Sequence, residues 1–113
     1  MKQEKIYCAY IMASKRNGTL YIGVTSNPQK RIYEYKNDLV EGFTKKYQVH
    51  LLMHLEMFND SYAAISREKQ LKRWNREWKL NLIEKKNSSW KDLYDYFNLR
   101  FPSFLSFQKI SQR

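Results

Sequence analysis

The stretch Ile6-Tyr-Cys-Ala-Tyr-Ile-Met-Ala-Ser-Lys-Arg-Asn-Gly-Thr-Leu-Tyr-Ile-Gly-Val24 decides the fold. Its two ends, Ile6–Met12 and Thr19–Val24, are apolar and aromatic runs with strong strand preference. Between them Ser14-Lys-Arg-Asn-Gly18 is polar, and Asn17-Gly18 signals a hairpin because both residues tolerate the positive φ of a tight turn. A two-residue Asn17-Gly18 turn puts Tyr10 opposite Thr25, and a four-residue turn over Ser14–Asn17 puts it opposite Tyr21. Either even length leaves both phenols on one surface; an odd length separates them.

Downstream, Ser26-Asn27-Pro28 reads as a helix start, since Asn accepts from open amides at the N-cap and Pro suits the first helical position. The helix is expected from Pro28 to about Asn37. Glu41-Gly-Phe-Thr-Lys-Lys46 reads as a basic connection and Val49–Phe58 as a third strand, added antiparallel to the hairpin. Asn59-Asp60-Ser61 supplies the next cap, before a helical stretch to Lys86 with an interruption near Asn75 and a short helix over Trp90–Phe97. The expected class is α/β (α+β): a small three-stranded antiparallel sheet flanked by helices, in the order β-β-α-β-α-α. The domain is expected over 1–97. The tail 98–113 differs in character, with Phe101, Phe104 and Phe107 around Pro102, and such rings either pack on the domain or mark a partner site.

A chain of 113 residues suits one core. Its single cysteine, Cys8, excludes an internal disulfide and a Cys-based zinc cage, which fits a reducing cytoplasm. His50 and His54 fall on one face of the third strand without a Cys or acidic partner in ligand spacing, and are expected to be structural and partly buried. The run Ile6–Ala13 is short and followed by Lys15 and Arg16, and no stretch reaches the roughly 18–20 apolar residues that span a bilayer. A soluble cytoplasmic protein is expected. Twenty-one Lys and Arg against eleven Asp and Glu give a formal charge of +10, which draws polyanions. Nucleic acid, an anionic membrane surface and an acidic protein all satisfy that charge, so the motifs must separate them.

On the helix after Ser61, a rotation of about 100° per residue aligns Ala64, Leu71, Trp78 and Leu82 in one apolar stripe. Glu68 lies at its margin, among Arg67, Lys69, Lys72, Arg73, Arg76 and Lys79. One reading pairs Glu68 with Lys72 four residues on, worth about 0.2–0.5 kcal/mol. The other makes it a carboxylate with work to do.

These segments resemble the GIY-YIG nuclease family. Tyr21-Ile22-Gly23 reproduces the second half of the signature, and Cys8-Ala9-Tyr10 stands at the first half, keeping its tyrosine and losing its glycine. Arg31, then Gly42–Tyr47, then Arg67–Trp74, then Asn87-Ser-Ser-Trp90 follow in the family's order. The likeness, running from Ile6 to Leu93, is to the small branch related to the N-terminal nuclease domain of the bacterial excision-repair protein UvrC. It implies metal-dependent hydrolysis of nucleic acid, DNA ahead of RNA, and a role of the DNA-repair kind. The functional set it implies is Tyr10, Tyr21, Arg31, Glu68 and Asn87, with Glu68 binding Mg2+ or Mn2+. Tyr35 stands where many relatives carry His and the excision-repair branch carries Tyr. Val24 stands where that branch has Lys, and Ser88 replaces a common Pro.

The residue types suit the reaction. Phosphodiester hydrolysis needs an activated water, a stabilised phosphorus centre and help for the leaving oxygen. Arg31 offers a planar fork of donors to phosphate. A tyrosine near its ordinary pKa of about 10 is a weak base at neutral pH, but a neighbouring guanidinium or metal-bound water lowers that value, and Tyr10 or Tyr21 fills this role. Asn87 either orients a phosphate or holds the loop before Trp90. Lys45, Lys46, Lys72, Arg73 and Arg76 are the candidate contacts to nucleic acid. A catalytically weak basic binding module of the same fold is the alternative, and an adaptor docking through the Phe-rich tail is a third reading.

Overall fold

The computed structural model describes residues 5–100. In chain order its elements are β1 (Tyr7–Ala13), β2 (Leu20–Thr25), α1 (Pro28–Lys36), α2 (Phe43–Lys46), β3 (Leu51–Phe58), α3 (Ser61–Arg73), α4 (Arg76–Lys86) and α5 (Leu93–Arg100). The strands form one antiparallel sheet in the order β2-β1-β3, so the first strand is central and β2 is an edge.

Local chemistry sets most boundaries. The Asn27 side chain accepts from the Lys30 amide at 3.2 Å with Pro28 opening α1, and the Asp60 side chain accepts from the Ala63 amide at 2.9 Å to open α3. The expected interruption near Asn75 is present: Trp74 is extended, and the Asn75 side chain starts α4 by accepting from the Trp78 amide at 2.8 Å.

β1 is buried on both sides, and its alternating side chains feed two cores. Ile11 and Ala13, with Ile22 and Met53, meet Leu71, Ile83 and Trp90 from the α3 and α4 side. Tyr10 and Met12, with Leu52, meet Ile32, Tyr35 and Val49 on the α1 side, where Leu93 and Tyr94 of α5 also pack. Each fully buried Ile, Leu or Met contributes about 1.5–3 kcal/mol, so this double core stabilises a small chain.

Several expectations are corrected. The hairpin adopts neither proposed turn: Ser14 donates to the Thr19 carbonyl at 2.9 Å, closing a four-residue loop over 15–18 that puts Tyr10 opposite Gly23 and Tyr21 opposite Met12. Asn17 alone takes the positive φ, 57°, and the Ser14 hydroxyl accepts from the Thr19 amide at 3.0 Å. The loop length is even, so Tyr10 and Tyr21 do share a face. The basic connection contains the short helix α2, started by Gly42 at φ 114°, a conformation that only glycine adopts without strain.

β3 carries a bulge, pairing Ile11 with His54 but Met12 with Leu52. The extra residue turns His54 to the α3 side, leaving His50 near α1, bonded to Asp38 at 2.8 Å, so the histidines do not share a face. The break at Trp74 resets the helical phase of the expected stripe: Trp78 is exposed, while Leu82 still packs on the core beside the fully buried Ile83. The last helix begins at Leu93, where the Asp92 side chain accepts from the Tyr94 amide at 3.1 Å, and runs past the expected boundary at 97. The tail's phenylalanines lie outside the described residues.

Candidate active site

Three phenols converge on the α1 side of the sheet. Tyr10 and Tyr35 share a hydrogen bond at 3.0 Å between their hydroxyls, and the Tyr21 ring meets Tyr35 edge-on at 5.6 Å between centroids. Tyr10 projects from the central strand, Tyr21 from the edge strand and Tyr35 from α1, so the hairpin register and one helix position build the cluster. Tyr10 is 1% exposed, Tyr35 is buried and Tyr21 is half-buried.

Burial, reinforced by the bond to Tyr35, drives the Tyr10 phenol far above its usual pKa. Tyr35 is pushed up to about 12, chiefly by burial. The Arg31 guanidinium acts in the opposite direction on both, which places its positive charge at the cluster. Arg31 is exposed, with Glu34 beside it at 3.8 Å. Rings continue outward from Tyr21 to Phe43 at 6.0 Å and from Phe43 to Tyr47 at 4.8 Å, where Lys46 stands over the Tyr47 ring at 5.4 Å.

Glu68 sits on the helix that covers the opposite face. Its side chain is only 12% exposed, and Lys72 Nζ lies 2.6 Å from its carboxylate. Both readings of this residue therefore meet in one place: it is paired with Lys72, yet it is no ordinary surface glutamate. α3 touches β2 as well as β1. Tyr21 packs on the α1 side of β2, so the phenols and the helix that carries Glu68 lie on opposite faces of the sheet.

The other expected site residues are placed differently. Asn87 is buried: its amide donates to the Met53 carbonyl at 3.3 Å and the Lys91 carbonyl at 2.8 Å, and its oxygen accepts from the Lys91 amide at 3.0 Å. It therefore ties the turn after α4 to β3, the edge away from Tyr21, and the loop-holding reading describes it. Arg76 Nη2 donates to the Asn17 and Gly18 carbonyls at 2.7 and 2.6 Å, clamping the hairpin turn. Lys45 pairs with Glu41 at 2.9 Å, Lys72 with Glu68, and Arg73 is exposed.

One polar network escaped sequence reasoning. The Glu56 carboxylate accepts from Arg67 Nε and Nη2 at 2.8 and 3.0 Å and lies 2.8 Å from His54 Nε2. Partial burial alone raises the Glu56 carboxyl, but these bonds and the guanidinium charge outweigh it and hold the group at about 2. The only signal in the sequence was the alternation of His54 and Glu56 along one strand. Their partner comes from another element, eleven residues on.

The structure thus brings Tyr10, Tyr21, Tyr35 and Arg31 together and leaves Glu68 across the sheet on α3. The family model of the GIY-YIG catalytic domain matches residues 6–81, and the chain belongs to the GIY-YIG family. Membership points to nuclease activity on nucleic acid with a divalent metal. The chain is 34% identical over 77 residues to the UPF0213 protein SH2523 of Staphylococcus haemolyticus, covering 68% of this chain and 93% of that one. It is 35% identical over 74 residues to the UPF0213 protein SSP2268 of Staphylococcus saprophyticus, covering 66% and 89%. The solution structure of the UPF0213 protein BH0048 of Bacillus halodurans aligns with 77% of this chain and 92% of its own, at 21% identity and a TM-score of 0.49.

Proposed function

We propose that this chain hydrolyses phosphodiester bonds, DNA ahead of RNA, with Tyr21 as the base, Arg31 holding the transition-state charge and Glu68 holding a divalent metal. The observation that carries this reading is the phenol cluster under the influence of Arg31 at the sheet edge. Tyr21 is chosen over Tyr10 because a base must reach a water, and Tyr10 is sealed in and held protonated by burial. Tyr10 and Tyr35 then serve as positioning residues that fix the Tyr21 ring. Arg31 presents paired donors to the phosphate oxygens, a role that point-charged lysine performs less well.

The donor set fits Mg2+ or Mn2+. Among the described residues no cluster of three His, Cys, Asp or Glu is able to cage a metal. A lone shielded carboxylate suits an ion that keeps several waters and takes substrate oxygens for the rest of its shell. When bound, the ion supplies charge neutralisation at the phosphate. Glu68 must leave Lys72 to bind it, and that existing pair is what favours the second reading, a basic nucleic-acid-binding module with weak turnover. Incubation of the pure protein with single-stranded, duplex and branched DNA, in magnesium, manganese or chelator, tests both. Metal-dependent cleavage supports the nuclease; tight binding without cleavage in any metal supports the module.

A further inference from the structure

Trp74 and Trp78 meet edge-to-face where α3 gives way to α4, with ring centroids 5.8 Å apart and planes at 88°. With Asn81, Leu82 and Lys85 they line an open cleft of about 250 Å³. Trp78 is 55% exposed, an unusual state for the largest apolar side chain. The Asn75 side chain fixes the Trp78 amide, and Trp74 is backed by the Arg67 guanidinium 5.1 Å from its ring, itself anchored on Glu56.

The lining specifies an occupant. A volume below the roughly 300–1,000 Å³ of drug-sized sites suits one flat ring system. The walls are almost wholly apolar, with Asn81 and Lys85 lining the cleft through their stems, and the exposed Trp78 indole offers surface on which a base can stack. Along the segment 72–86 that carries the cleft, six Lys and Arg stand against Glu77 and Glu84. Lys72 is paired with Glu68 and Arg76 with the hairpin carbonyls, and the remaining Arg73, Lys79, Lys85 and Lys86 still favour a polyanion over an apolar peptide.

We infer that this cleft binds an unpaired base of single-stranded nucleic acid, stacked on Trp78, with the strand's phosphates drawn by the basic residues of the same segment. The inference rests on the nucleic-acid half of the proposed function and adds the strandedness of the substrate.

Tryptophan fluorescence of the whole chain, titrated in chelator with a short oligothymidylate and with a duplex of equal length, tests it. The oligothymidylate quenches the emission. Trp78→Ala, whose exposed position spares the fold, removes most of the quench and weakens oligothymidylate binding about five- to hundredfold, the range of one base–aromatic stack. Duplex affinity stays within about twofold, because duplex bases are not available to stack. Trp78→Phe recovers part of the loss. If folded Trp78→Ala, checked by its melting temperature, binds oligothymidylate like the parent, the inference is overturned while nucleic-acid binding stands. If neither nucleic acid binds the parent, the nucleic-acid reading falls with it.

Discussion

Gly23 and Tyr10 face each other across the first hairpin so closely that a β-carbon at position 23 would stand 2.3 Å from the Tyr10 hydroxyl oxygen and 2.5 Å from the ring carbon that bears it. The glycine of the Tyr-Ile-Gly signature is thus the space into which the neighbouring strand's phenol lies. Gly23→Ala should destabilise the fold by about 1–3 kcal/mol, the usual cost of overpacking, because Tyr10 is walled in and bonded to Tyr35. Urea denaturation of a double-mutant cycle with Tyr10→Leu checks the cause. The cost of Gly23→Ala should shrink once the ring is gone, and an undiminished cost would locate the strain elsewhere.

Glu68→Gln separates a metal ligand from a surface partner. Loss of a pair with a mostly exposed Lys72 costs only a few tenths of a kcal/mol, so the melting temperature should barely move. Magnesium-dependent cleavage should collapse, since a neutral amide is a poor ligand for a hard cation, while DNA binding without metal holds or tightens. Lys72→Gln should leave cleavage intact and lower the magnesium concentration needed for half-maximal rate. Parental cleavage by folded Glu68→Gln protein would remove Glu68 from the site.

Arg31→Lys keeps the charge and loses the paired donors. Cleavage should fall about ten- to thousandfold, the range for removing one transition-state donor. DNA affinity, measured in chelator, should change little by comparison. A parallel loss of both would make Arg31 a binding contact alone.

The two signature tyrosines should differ under the same substitution. Tyr21→Phe removes the reachable phenol, and cleavage should drop about a hundred- to ten-thousandfold, as for loss of a general base. Tyr10→Phe removes one hydroxyl from a buried pair, costing stability about 0.5–1.5 kcal/mol and leaving most of the rate. The reverse ranking in single-turnover rates would exchange their roles.

Glu56 makes stability depend on acid. Its carboxyl is held at about 2 in the fold against 4.5 ordinarily, so its contribution is complete above about 4.5 and disappears as the pH falls through about 2. Urea midpoints should therefore show Glu56→Gln less stable than the parent at pH 7, with the gap closing across that acid window. A gap of constant size would mean that the Arg67 and His54 bonds do not depend on the charge.

Much of this was readable from the chain because the signals were local. Asn27-Pro28 and Asn59-Asp60-Ser61 announce helix starts and Asn75 an interruption, and the structure carries a side-chain-to-backbone cap at Asn27, Asp60 and Asn75. Tyr10 and Tyr21 are expected to share a face for either even turn length and to part for an odd one, and the four-residue loop over 15–18, at neither expected position, meets the even condition. What stayed hidden depended on distant partners. Nothing near Met53 signals the bulge that turns His54 toward Glu56, and nothing near Arg76 shows that it grips a turn 58 residues earlier. Four residues of α2 are too few to display a helical period.

The central position of β1 also orders the protein's assembly during synthesis. Its pairing with β2 closes a short local loop, but its pairing with β3 waits for residues 51–58, a slower closure over a longer chain. Tyr10, Tyr21, Arg31 and Tyr35 emerge early, and the carboxylate of Glu68 emerges after them, on the helix whose Leu71 covers Ile11 and Ala13. A nascent chain halted before α3 therefore carries the phenols and the guanidinium without the proposed metal ligand.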